Sequence, residues 1–219
     1  NNATKLGLNK YSFFKEFKVL KKQVRKEYLN EEEIQTLWDL DLSENKKLEK
    51  VRDIFLVCCY TGVRFSEYKN LKKENLKLGE FGWGINYYAQ KNNKYVTTIC
   101  NNNTLDILKK YQFNLPHILE QKYNVCIKEV CELAGIDNVI TVHTYKSGKA
   151  ITYQKKKFKL IASHTARRSF ITNSHKNGAT SALIMKLTGH SNESMVNNYV
   201  HTTAQESVDL MHQVLKNSG

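Results

Sequence analysis

At 219 residues the chain suits one large domain and is long enough to bury a core without covalent staples. Its 34 Lys+Arg against 21 Asp+Glu give a formal charge of +13, the electrostatic footprint of a nucleic-acid binder; no stretch reaches the roughly 18 apolar residues of a membrane span. Five cysteines, an odd number without any C-x-x-C pair, argue against a disulfide framework or a zinc site and for a reducing cytosol.

Residues 1–27 are lysine-rich, with scattered aromatics and no clean period, and are expected to be a linker; the first residue is not Met, so something is expected to precede it. The domain proper is expected to span 28–219. Asn30 followed by Glu33 has the form of a capping box ahead of Ile34, Leu37 and Trp38. Val51, Ile54, Phe55, Cys58 and Cys59 fall at helical spacing and predict a helix over Leu48–Tyr60, with Gly62 placed to end it. From Leu76 to Cys100 the pattern changes to glycine-punctuated aromatic and β-branched residues, which predicts a small antiparallel sheet with a hairpin at Asn92-Asn93. Helical patterns resume over Thr104–Phe113 and His117–Ala134, the latter after Pro116 and before Gly135. Ile140–Tyr153 reads as a second hairpin around Ser147-Gly148. From His164 to Leu215 nearly everything reads helical, with breaks at Gly178, Gly189-His190 and near Thr202. Thr203 and Glu206 then start a terminal helix, 203–216, whose Ala204, Val208, Met211 and Leu215 share one face. The expected class is α+β, mainly α-helical, with a small antiparallel β-sheet.

The charge is unevenly spread. Between Asn138 and Asn192, 55 residues hold ten Lys or Arg and no Asp or Glu, where the chain average would place about five carboxylates. Inside that window His164 and Arg167 lie three apart, on one helical face near a helix N-terminus, where free backbone N–H groups favour an anion. Arg64 follows the helix-ending Gly62. A guanidinium offers a planar fork of donors to two phosphoryl oxygens and keeps its charge at neutral pH, so both arginines are candidates for holding a phosphate.

Four segments, Thr61-Gly-Val-Arg-Phe-Ser-Glu67, Gln90-Lys91, Ser163-His-Thr-Ala-Arg-Arg-Ser169, and Thr188-Gly-His-Ser191 followed by Tyr199, resemble in order and spacing the catalytic signature of the tyrosine recombinase or phage integrase family. The run from Ser163 to His201 is most similar to integrases of Bacteroides-type conjugative or mobilisable elements, and the resemblance covers roughly Glu27 to Leu215. It implies the tyrosine recombinase catalytic-domain fold and a site made of Arg64, Lys91, His164, Arg167, His190 and Tyr199. Arg168 departs from the family's frequent H-x-x-R-H form and is left out of that set.

The implied reaction is cleavage and rejoining of DNA through a 3′-phosphotyrosine, independent of ATP, metal and cofactor. Tyr199 would attack the phosphodiester, Arg64 and Arg167 would stabilise the extra charge, His164 would hydrogen-bond the phosphate or act in proton transfer, His190 would add a hydrogen bond, and Lys91 would protonate the 5′-oxygen. A free phenol, with pKa near 10, is a poor nucleophile at neutral pH, so nearby positive charge and a proton acceptor are needed. Glu67 would orient or neutralise rather than react. Lys155, Lys156, Lys157 and Lys159 are expected to contact the DNA backbone.

The resemblance further implies double-stranded DNA as the partner, a homotetramer on DNA with a monomer allowed without it, and DNA-bending accessory proteins as further candidate partners. No membrane partner is expected, and the expected location is cytoplasmic, with the nucleoid. Residues 1–27 would link to a preceding core-binding domain, and the terminal helix would dock on a neighbouring subunit. Two alternatives share parts of this reading: a type IB topoisomerase, with the same fold and chemistry, and a catalytically silent DNA-binding module.

Overall fold

The computed structural model describes residues 6–7, 27–146, 149–199, 208 and 211–212. The expected linker 1–27, apart from Leu6, Gly7 and Glu27, lies outside them, as does the expected terminal helix 203–216 apart from Val208, Met211 and His212.

Helix α1 (Glu31–Asp39) starts at the expected capping box: the Asn30 side chain accepts the Glu33 N–H and Glu33 accepts the Asn30 N–H, both at 2.8 Å. Helix α2 (Lys46–Thr61) is capped by Asn45 and ends at Gly62, whose φ of 68° lies in the left-handed region. Leu48, Val51, Ile54, Phe55, Leu56, Val57, Cys58 and Cys59 are all buried, more than one stripe, so α2 is the axis about which the main core forms. The buried Asp53 on that helix is held by Arg52, by Lys110 at 2.6 Å and by the Tyr111 hydroxyl at 2.8 Å.

The first sheet is antiparallel, in the order β1 (Leu76–Gly79), β2 (Gly82–Ala89), β3 (Lys94–Ile99). Ile85, Tyr87 and Ala89 face inward at the period of two expected of a half-buried strand. Between β2 and β3 the turn Gln90–Asn92 closes through Asn93 at φ 50°, a conformation asparagine tolerates.

Helix α3 (Asn102–Lys110) begins two residues before the expected start because Asn101 caps it. It ends three residues early, where Gln112 and Phe113 both adopt positive φ. Helix α4 (Glu120–Leu133) starts three residues late. The Pro116 carbonyl, which a helix begun at His117 would use internally, accepts instead from the Tyr68 hydroxyl at 2.7 Å.

Strands β4 (Val139–Lys146) and β5 (Lys149–Lys156) form a separate two-stranded ribbon. Helices α5 (Ser163–Lys176), α6 (Ser181–Thr188) and α7 (Glu193–Asn197) follow, with the expected breaks at Gly178 (φ 87°) and Gly189 (φ 69°). Phe170, Ile171, Ile184 and Val196 make a second, smaller core with Tyr199 packed at its edge.

The lysine run needs a correction. Lys155, Lys156 and Lys159 are exposed, but after β5 the chain turns inward, burying Phe158 and leaving Lys157 only 9% exposed. The Lys157 ammonium sits 2.7 Å from both Glu33 oxygens and over the Tyr28 ring, so it pins the start of α1 instead of facing DNA. Lys157→Ala should lower stability by about 2–3 kcal/mol, because it strands a poorly solvated carboxylate, and should leave the salt dependence of DNA binding unchanged. Lys155→Ala should do the reverse, with stability within about 0.5 kcal/mol and the slope of log affinity on log salt reduced by about 0.9. Thermal denaturation and a salt titration of DNA affinity check both.

Candidate active site

The chain breaks after α2 and α6 meet at Arg167 of α5, and the turn after β2 joins them through the Gly189 carbonyl. Gly62 allows this at the first: its φ is positive, and a Cβ there would lie 2.4 Å from Phe170 Cδ1. The chain therefore leaves α2 tightly against α5, carrying Arg64 and Glu67 with it. Glu67 is 1% exposed, and its two oxygens lie 3.3 and 3.4 Å from Arg64 Nη1, so a buried carboxylate orients that guanidinium.

Arg167 projects from the first turns of α5 and is itself 1% exposed. Its fork is used by the protein: Nη1 donates to the Gly62 carbonyl at 2.7 Å and Nη2 to the Thr188 carbonyl at 2.5 Å. It thus ties the ends of α2 and α6 together. Burial, and next the Arg64 charge, push its pKa down to about 10, which still leaves it cationic at neutral pH. Its Nε meets no acceptor within hydrogen-bond geometry among the described residues, and the buried hydroxyl of Tyr87 lies against the same guanidinium.

His190 follows the left-handed cap Gly189 and is 3% exposed. Both ring nitrogens lie 3.3–3.4 Å from Arg167 Nη2, and Nδ1 is 2.7 Å from the Thr188 hydroxyl. That hydroxyl is also 2.5 Å from the Ile184 carbonyl. With its one proton given to Ile184, Thr188 accepts from Nδ1–H; with the proton turned onto Nδ1, the ring carries Nε2–H and can donate to a phosphoryl oxygen. Burial first, then the charges of Arg167, Arg64, His164 and Lys91, push the His190 pKa from an ordinary 6.5 down to about 3. The unfolded chain therefore takes up a proton that the folded ring refuses. His190 contributes its share of stability above about pH 6.5, and that share is lost as pH falls toward 3. Against wild type, His190→Gln should flatten the acid side of the melting-temperature profile; identical profiles would contradict this.

Tyr199 lies two residues beyond α7, half-buried, with its carbonyl accepting from Thr172 at 3.2 Å. Its hydroxyl is 2.8 Å from His164 Nε2, and its ring stands between two imidazoles, 5.7 Å from that of His164 and 5.8 Å from that of His190. Lys91 is exposed on the β2–β3 turn, close enough to act on His190. The structure thus brings Arg64, Lys91, His164, Arg167, His190 and Tyr199 to one place. Lys155, Lys156 and Lys159 sit apart, at the end of the ribbon and just after it.

Arg168 is used elsewhere: 8% exposed, it donates to the Glu27 carbonyl at 2.5 Å, while Ser169 and Asn173 hold Leu29. Two contributors were not assigned roles from sequence. Thr188 opens one of the four segments and Asn92 belongs only to the expected hairpin turn, and their parts come from folded contacts to His190 and to the Gly189 carbonyl. Among the described residues, no group of His, Cys, Asp and Glu is placed to hold a metal ion, and no helix is long and apolar enough to cross a membrane.

Among solved structures, XerH site-specific recombinase bound to a palindromic difH substrate is similar with TM-score 0.63 and 15% identity, over 88% of this chain and 54% of that one. A lambda integrase dimer bound to a core site gives TM-score 0.62 and 11% identity, over 93% and 69% of the two chains. XerA recombinase gives TM-score 0.58 and 19% identity, over 90% and 66%. The chain thus spans about half the length of the XerH protein. No curated protein matches it. Its residues 27–206 match the phage integrase family, and by that match over most of its length, together with the tyrosine recombinase catalytic-domain fold, the chain belongs to the phage integrase family.

Proposed function

We propose that this chain is the catalytic part of a site-specific DNA recombinase that cuts and rejoins strands through Tyr199. One observation carries the reading: the Tyr199 hydroxyl meets an imidazole nitrogen at 2.8 Å beside two mutually repelling guanidinium groups, Arg64 and Arg167. Like charges held together at a largely buried site favour an anion between them, and the buried Arg167 Nε, which meets no acceptor among the described residues, points the same way.

In the proposed step Tyr199 Oη forms a bond to phosphorus as the bond to the 5′-oxygen breaks. The phenol proton passes to His164 Nε2. Arg64 and Arg167 take up the added charge on the non-bridging oxygens, His190 Nε2–H donates to one of them, and the Lys91 ammonium gives a proton to the departing oxygen. The phosphoester energy stays in the 3′-phosphotyrosine, so a 5′-hydroxyl from another strand reverses the step without ATP. No cofactor enters this scheme.

The wider reading rests on the same site. The substrate is double-stranded DNA, met outside the site by Lys155, Lys156 and Lys159. The working assembly is a homotetramer joined through the segment 203–216, with 1–27 leading in from a core-binding domain. The local sequence from Ser163 to His201 supports an integrase of a Bacteroides-type mobile element, acting at the nucleoid with DNA-bending partners.

The test is incubation in EDTA with nicked duplexes from the ends of the host element, labelled on either side of the nick. The expected product is protein joined to the 3′ side, resistant to denaturation, and a free 5′-hydroxyl on the released fragment. Cleavage that leaves a free 3′-hydroxyl would overturn the proposal. Plasmid relaxation without strand exchange would favour a type IB topoisomerase.

A further inference from the structure

Lys91 has a flexible four-carbon stem and an exposed side chain, so the turn beneath it must be held if its ammonium is to meet one particular oxygen. The turn is held by contacts remote in sequence. The Asn92 side-chain amide donates to the Gly189 carbonyl, the residue immediately before His190. Gly189 makes the approach possible: a Cβ there would lie 2.7 Å from Val96 Cγ2, with Lys94 Cε at 3.7 Å and Asn92 Nδ2 at 3.8 Å. On the other side, the Tyr88 hydroxyl donates to the Asn93 side chain and steadies the second half of the turn. One half-buried amide therefore joins the hairpin carrying Lys91 to the corner carrying His190.

We propose that Asn92 is a positioning residue: its bond to Gly189 latches the β2–β3 turn to the end of α6 and thereby sets Lys91 over the leaving oxygen. This rests on the reading of Lys91 as the proton donor. An unlatched turn would spend part of its time away from the site, and protonation of the leaving group would become slow. Attack by Tyr199 and charge stabilisation by the arginines would continue, because none of the hydrogen bonds that hold Arg64 and Arg167 among the described residues is made with Asn92.

That separation can be read with two suicide duplexes, one with the natural oxygen at the scissile 5′ position and one with a bridging sulfur. A thiolate leaves without a proton, so the sulfur substrate removes the need for an acid. Asn92→Ala and Asn92→Asp, which keeps the size but loses the donor, should form the covalent adduct about tenfold more slowly on oxygen DNA and within about twofold of wild type on sulfur DNA. Lys91→Ala should lose about 10² to 10⁴ on oxygen and recover on sulfur. In the Lys91→Ala background, Asn92→Ala should cost nothing further. Recovery of Lys91→Ala with equal slowing of both Asn92 variants on the two substrates would overturn the latch alone. No slowing of the Asn92 variants on oxygen would overturn it too. Failure of sulfur to recover Lys91→Ala would instead overturn the assignment of Lys91 as the acid.

Discussion

Tyr199→Phe is expected to abolish covalent adduct formation, a loss of at least about 10⁴-fold, while DNA affinity and folding stay close to wild type. The substitution removes one oxygen and nothing else. The ring keeps its packing at the edge of the small core formed by Phe170, Ile171, Ile184 and Val196. The hydrogen bond lost is the one to His164, which is exposed, so water replaces it at a cost of about 1 kcal/mol or less. A denaturing gel reads the adduct, a native binding assay the affinity, and a melting curve the fold. Any other tyrosine able to replace it would need the two imidazoles within 6 Å that flank Tyr199.

Arg167→Ala carries the second large effect, and it has two parts. The guanidinium is buried and serves the Gly62 and Thr188 carbonyls, so its removal leaves two buried acceptors and a cavity where α2, α5 and α6 meet. A loss of about 2–4 kcal/mol in stability is expected. Measured at a temperature where the variant is folded, cleavage should fall by about 10³-fold, since a charge donor to the phosphate is gone. Arg167→Lys separates the two parts. It keeps the charge, but a single ammonium cannot reach two carbonyls on different helices and a phosphate, so cleavage should still fall by about 10²-fold. Melting curves paired with adduct rates check both variants.

Why these residues were legible in the sequence differs from one to the next. The capping box at Asn30 and Glu33, the stop at Gly62 and the inward period of Ile85, Tyr87 and Ala89 are local rules, decided within a few residues. The site residues were placed by resemblance, through short segments whose order and spacing matched a family; no local rule separates Tyr199 from the chain's other tyrosines. What the sequence hid is set by tertiary contact. The late start of α4 follows from Tyr68 taking the Pro116 carbonyl, and the withdrawal of Lys157 from its lysine run follows from Glu33, distant in sequence. Arg168, beside the catalytic candidate Arg167, turns out to hold Glu27, which no pattern of charges could separate from a phosphate contact. The carboxylate-free window between Asn138 and Asn192 is thus put to mixed use: His164, Arg167 and His190 meet at the site, while Lys157 and Arg168 bind inward.

If Tyr199 Oη is the nucleophile that bonds to phosphorus, the residue that carries the DNA after cleavage is Tyr199, and it can be identified directly. Adduct formed on a nicked duplex in EDTA would be digested with nuclease and protease, and the nucleotide-bearing peptide sequenced by mass spectrometry. One modified peptide is expected, with a 3′-linked nucleotide on Tyr199. A nucleotide on any other residue, or on none despite cleaved DNA, would contradict it.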